Sequence, residues 1–226
     1  MLKKLKKNQA HFFIAVVLFI AFVVWTALVL LVDVGEAAPE GSVVGFSTLN
    51  MAFFESTGGK INETFYKLSE ILGLTPFAVI GLFAVIGVYQ FVHMRSIRKM
   101  GRDLFILGAF YLLVLAFYGL FEIVEINYRP VLIDGVLELS YPSSHTLLAL
   151  CVFGSAIYQF TKRIKVKWLR ILLISICAFL MTAIVVCRLL SGVHWLTDII
   201  GGVLLSGALV SSYCAGMKAF YKKPNE

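Results

Sequence analysis

Six apolar runs of membrane-spanning length constrain this chain more than any other feature. They lie at about residues 12–32, 75–92, 104–121, 144–160, 169–186 and 197–217. Each is close to the roughly 20 residues a helix needs to cross a hydrocarbon core about 30 Å thick. Inside lipid the backbone must satisfy its own polar groups, so such runs read as helices. The expected fold is therefore all-α, a polytopic membrane protein with six transmembrane helices in a single domain over residues 1–226. Composition agrees, with 60% hydrophobic and 15% charged residues, where a soluble domain runs nearer one half and one quarter. The first run follows Lys3, Lys4, Lys6 and Lys7, as a signal peptide would. A signal core is only about 7–15 residues long, so this run is read as a retained helix.

Charge orients the bundle. Sixteen of the twenty Lys and Arg fall at the N-terminus, in the turns at 93–102 and 162–170, or in the C-terminal tail. The opposite side holds only Lys60, Lys67, Arg129 and Arg188, together with eleven of the thirteen acids. An excess of Lys and Arg on short loops marks the cytoplasmic side. Six spans with both termini cytoplasmic follow. The net charge of +7 is then an insertion signal and a contact with anionic lipid headgroups, which makes membrane lipids the expected partners and excludes a nucleic-acid reading. Residues 33–72 are expected to form an extracytoplasmic loop with amphipathic helices on the membrane surface. The four cysteines lie in or at the ends of apolar runs, which suits neither a disulfide framework nor a zinc knuckle.

Two polar islands interrupt this sequence, Tyr141-Pro142-Ser143-Ser144-His145 and Cys187 to Asp198. Counting segments puts both, with Arg129-Pro130, on the extracytoplasmic face. Ionisable residues at the ends of membrane helices are costly and mark functional sites. His194 and Asp198 are four apart and share a face if a helix starts near His194. An Asp there accepts a proton from one imidazole nitrogen and leaves the other bare and nucleophilic. Ser143 and Ser144 open the fourth run, where helix-start amides and a hydroxyl make an anion cradle. Arg129 and Arg188 can fork onto phosphate oxygens, and His145 is a second imidazole able to protonate a leaving oxygen. Two arginines would repel a cation, so no metal site is expected. His11 and His93, beside basic ends, read as packing residues. Trp195 is expected to anchor at the membrane interface, and Gly201-Gly202 with Gly207 to permit close helix packing.

These islands resemble the type 2 phosphatidic acid phosphatase superfamily of integral-membrane lipid phosphatases. That family carries Lys, six residues, Arg-Pro; then Pro-Ser-Gly-His; then Ser-Arg, five residues, His, three residues, Asp. This chain has Arg129-Pro130; Pro142-Ser143-Ser144-His145; and Cys187-Arg188, five residues, His194, three residues, Asp198. The resemblance implies that His194 attacks phosphorus to form a phosphohistidine, that Asp198 orients it and that His145 protonates the leaving group. It further implies that Arg129, Arg188, Ser143 and the amide of Ser144 hold the phosphate, and that neither metal nor cofactor is needed.

Three positions depart from the family pattern. Ser144 replaces Gly, Cys187 replaces Ser, and Glu122 stands seven before Arg129 where the family has Lys. A carboxylate close to a phosphate in poorly solvated surroundings repels it by several kcal/mol. The expected function is dephosphorylation of a lipid phosphate or pyrophosphate, of the isoprenyl pyrophosphate, phosphatidic acid or phosphatidylglycerophosphate type, at a bacterial plasma membrane. The alternatives are a lipid-binding or lipid-moving protein with a degenerate site, and a lipid phosphotransferase.

Overall fold

The structure is a computed structural model that describes residues 2–37, 39–94 and 102–220. Its helices are α1 (Leu2–Leu31), α2 (Ser47–Ser56), α3 (Glu63–Gly73), α4 (Thr75–Met94), α5 (Arg102–Phe121), α6 (Ser144–Arg163), α7 (Lys167–Leu190) and α8 (Leu196–Phe220). Two two-residue strands, β1 (Gly35–Glu36) and β2 (Val43–Val44), pair antiparallel. The fold is mostly helical, as the apolar runs predict. Most of the basic turn at 93–102, and the tail lysines Lys222 and Lys223, lie outside the described residues.

Among the described residues, five helical stretches are long and apolar enough to cross a membrane: Gln9–Leu31, Glu63–His93, Arg102–Phe121, Lys167–Leu190 and Leu196–Ala219. The second runs from α3 into α4 with Leu74 still in helical geometry. The run expected at 144–160 forms α6, whose twenty residues give the ~30 Å of a span, but its sequence is too polar to count with the other five. Packing explains its polarity. α6 is surrounded by α4, α5, α7 and α8, so its polar side chains meet protein. Ser155 donates to the Tyr111 hydroxyl at 3.3 Å and Gln159 to that of Tyr213 at 2.7 Å. Arg163 donates to Gln159 at 2.8 Å and pairs with Asp103. The outer helices instead turn large apolar side chains outward, including Phe13, Val85, Leu112 and Phe179, the arrangement suited to a lipid solvent.

The 33–72 segment does form helices, α2 and α3, but they dock onto the bundle end where α7 stops and α8 starts. Asn50 of α2 is fully buried and donates to the Gly45 carbonyl at 2.8 Å and to the Thr197 hydroxyl at 2.9 Å. The backbone N–H of Asn62 donates to the Ser191 carbonyl at 2.9 Å. A buried amide left unpaired costs about 1–3 kcal/mol, so these bonds fix the segment in place. Trp195 also departs from expectation. It is 1% exposed, and its indole N–H donates to the Tyr128 carbonyl at 2.7 Å, which makes it core rather than an interfacial anchor. Gly201 and Gly202 do serve packing. A Cβ on Gly201 would meet the Tyr141 ring at 2.6 Å, and one on Gly202 would meet Thr146 at 3.0 Å.

Candidate active site

The connection between α5 and α6 is a short hairpin. Tyr128 bridges Leu139, and Ile133 and Val136 exchange both backbone bonds around Asp134 and Gly135, which sit at φ 50° and 77°. Two consecutive positive φ values make a type I′ turn, for which Asp-Gly is a preferred pair. The hairpin sets Arg129 opposite Glu138. The Arg129 N–H donates to the Glu138 carbonyl at 2.9 Å, and Arg129 Nε lies 3.0 Å from Glu138 Oε2, out of line for a hydrogen bond. Arg129 Nη1 reaches the Val193 carbonyl at 3.5 Å. One hairpin thus joins the first motif to the third.

Ser143 is the N-cap of α6. Its hydroxyl accepts the Thr146 N–H at 3.5 Å and its own N–H donates to the Asp198 carbonyl at 3.1 Å. Such a cap is worth about 1 kcal/mol. The Ser143 side chain is therefore buried in the helix start, outside the cavity, whereas Ser144 lines it.

His194 sits in the turn between α7 and α8, buried, on the same cavity. Its Nδ1 is 3.1 Å from the Ser140 carbonyl and 3.6 Å from Asp198 Oδ2. Both neighbours are acceptors, so Nδ1 carries the ring proton and Nε2 is the lone-pair nitrogen. Nε2 is buried and has no hydrogen-bond partner. Asp198, fully buried, accepts from Asn127 Nδ2 at 3.2 Å and from the Trp195 N–H at 2.9 Å. These bonds hold the carboxylate behind the ring, and the Ser140 carbonyl shares with it the task of fixing the tautomer.

Burial, then the positive charges of Arg129 and Arg188 and the nearby His145, hold the His194 pKa well below the ordinary imidazole value, against the Ser140 carbonyl. A lowered pKa means the neutral, nucleophilic ring persists as pH falls through 6.5. The acid limb of kcat/KM, corrected for the substrate's own phosphate ionisation, is thus expected clearly below pH 6.5 in a pH–rate profile. A limb centred on 6.5 would show a solvated imidazole instead.

The cavity is lined by His194, Arg129, Ser144, Ser140, Tyr118 and Glu122, among others. Beside it lies a second group. Arg188, 1% exposed at the end of α7, directs Nη2 at His145 Nδ1 (2.5 Å) and Nε2 (2.9 Å) and at Glu70 Oε1 (2.6 Å). Its Nε and Nη1 are buried without a partner, two cationic donors left for an anion.

All seven residues expected from sequence converge on one end of the bundle. His194, Arg129 and Ser144 face the cavity, His145 and Arg188 stand next to it, and Asp198 and Ser143 form the wall behind. His11 and His93 stay away, against Lys218 and Tyr89. Glu122 does line the cavity, but from its exposed side just past the end of α5, where water weakens its repulsion of an anion. Sequence reasoning missed Asn127, Ser140, Glu138 and Glu70. Asp134-Gly135 was the available signal for the hairpin that carries the first three. Glu70 had none.

The chain matches the PAP2 superfamily over residues 75–221, a stretch that runs from α4 through α8. No curated protein matches it. Among solved structures it is similar to the crystal structure of the first transmembrane PAP2 type phosphatidylglycerolphosphate phosphatase from Bacillus subtilis, with a TM-score of 0.60 and 18% identity over 95% of this chain and 100% of that one. At that identity the likeness is one of fold, and the fold carries both motif islands to the same end. With the family match covering well over half the sequence, the chain belongs to the PAP2 superfamily.

Proposed function

We propose that this protein is a lipid phosphatase that cleaves a phosphate monoester or pyrophosphate through a phosphohistidine on His194, without a metal. In this reading α6 also spans the membrane, as the fourth of six spans, both termini are cytoplasmic, and the site opens on the outer face of a bacterial plasma membrane. The observation that carries it is the bare, buried Nε2 of His194, a residue that lines one cavity with Arg129, beside the unpartnered donors of Arg188. A nucleophile without a hydrogen bond and cationic donors without an acceptor are complementary to a phosphoryl group, whose transfer depends on positioning and charge stabilisation. His145 supplies the proton to the leaving oxygen, and water then releases phosphate from His194. The substrate reading includes phosphatidylglycerophosphate, phosphatidic acid and isoprenyl pyrophosphate. The Bacillus protein of similar fold supports the first.

The test is phosphate release from these three lipids by detergent-purified protein in EDTA. Release from at least one is expected. Glu122→Lys, which restores the family's charge at the cavity rim, should lower KM by roughly 3- to 10-fold, the scale of an exposed charge reversal near an anion. Absence of release from all three lipids, in wild type and Glu122→Lys alike, would favour the non-catalytic reading.

A further inference from the structure

Each imidazole of the site has a carboxylate at nearly the same distance. Asp198 Oδ2 lies 3.6 Å from His194 Nδ1, and Glu70 Oε1 lies 3.7 Å from His145 Nε2. The first pair is written into the third motif. The carboxylate of the second pair comes from α3, outside every motif and outside the matched residues 75–221.

One face of α3 builds this contact. Tyr66, Glu70 and Gly73 are spaced i, i+4, i+7 and share a side of the helix. The Tyr66 ring lies 5.8 Å from the Arg188 guanidinium. A Cβ on Gly73 would stand 2.5 Å from His145 Cδ2 and 2.8 Å from Nε2, so only a bare backbone lets α3 lie so close to the ring. The Asn62 side chain caps α3 by accepting the Phe65 N–H at 3.3 Å. Glu70 is 46% exposed at the side chain while Arg188 is 1% exposed, so the carboxylate covers the guanidinium from the outside. The other charged or titratable groups acting on His145 are Arg188 from α7, Arg129 from the hairpin and His194 from the α7–α8 turn. None of these favours a proton on His145.

We propose that Glu70 is the positioning carboxylate of His145, the counterpart of Asp198 on His194. This rests on the phosphatase reading above, with His145 as the acid. In the free protein Glu70 shares its charge between Arg188 and His145. A phosphate dianion, with more charge and a bidentate fit, takes Arg188, and Glu70 is left with His145 as its neighbour. A carboxylate there favours the imidazolium and fixes its orientation. As His194 Nε2 bonds to phosphorus, the P–O bond to the leaving group breaks and its electron pair stays on oxygen. His145 gives that oxygen its proton and becomes neutral. Water then attacks phosphorus as the P–N bond breaks, and its proton returns to His145.

The experiment compares Glu70→Gln, Glu70→Asp and wild type on a lipid alkyl phosphate and on an aryl phosphate, whose leaving oxygen needs little help from a proton. Glu70→Gln is expected to lower kcat for the alkyl phosphate about 10-fold, a fraction of the full effect of a general acid, with KM little changed. The aryl phosphate should stay within about 2-fold, and Glu70→Asp should recover part of the loss. Equal losses on both substrates would reduce Glu70 to a prop for α3. An unchanged or faster rate, with tighter inhibition by inorganic phosphate, would mean that it only competes for Arg188. Either result overturns the proposal. His145→Ala in the same assay separates the layers. If it shows the leaving-group selectivity and Glu70→Gln does not, Glu70 alone fails; if neither does, the role of His145 fails first.

Discussion

His194→Ala is expected to lower phosphate release by about 10⁴-fold or more, the scale at which deleting a covalent nucleophile acts. The structure explains why no neighbour can substitute. The Ser140 carbonyl and Asp198 hold the Nδ1 side of the ring, which leaves Nε2 bare on a residue that lines the cavity. Removing the ring deletes the one buried lone-pair nitrogen described there and leaves the arginines to bind phosphate with nothing to attack it. Binding should therefore outlast turnover, and inorganic phosphate should still protect the variant against heat. The wall behind the ring is self-supporting, since Asp198 keeps its bonds to Asn127 and the Trp195 N–H. Near-wild-type melting in detergent is the control that separates lost chemistry from lost fold.

His145→Ala is expected to act selectively. An alkoxide leaving group needs a proton far more than a phosphate leaving group does, and a positioned acid contributes typically about 10²–10⁴-fold. Hydrolysis of a lipid phosphate monoester should fall by that order, whereas hydrolysis of a lipid pyrophosphate should fall much less. His145 stands at the first turn of α6 with Arg188 Nη2 against its ring, so part of any loss will come from a guanidinium set free. That part is common to both substrates and cancels in their ratio. Equal losses on monoester and pyrophosphate would reject the acid role.

Much of this was legible in the sequence because the bilayer narrows the choices. Long apolar runs have one outcome in lipid, and the asymmetry of Lys and Arg predicts a direction for each run. Together they predict Arg129, His145 and His194 on one side, and the structure brings the three to one end of the bundle. What failed to show was set by tertiary packing. α6 reads as one span among six, and its enclosure by four other helices, where Ser155 and Gln159 find hydroxyl partners, does not show in the sequence. Trp195 carries the residue type of an interfacial anchor, and only the hairpin carbonyl of Tyr128, 67 residues away, explains its burial. Ser143 caps α6 from a fully buried position, a task that its place in a phosphate-binding motif does not reveal. Glu70 sits in an amphipathic stretch whose periodicity fits a surface helix equally well. Which face met the site depended on Gly73 being bare against His145, a contact between segments 72 residues apart.

The most direct test of the central claim is to quench the protein during turnover of a lipid carrying labelled phosphate, in EDTA, and to map any label on the chain. The account predicts a label that survives alkali, is lost in acid, lies on the peptide holding His194, and is missing from His194→Ala. Steady turnover in EDTA with no label on the wild-type chain, or a label that persists in His194→Ala, would contradict it.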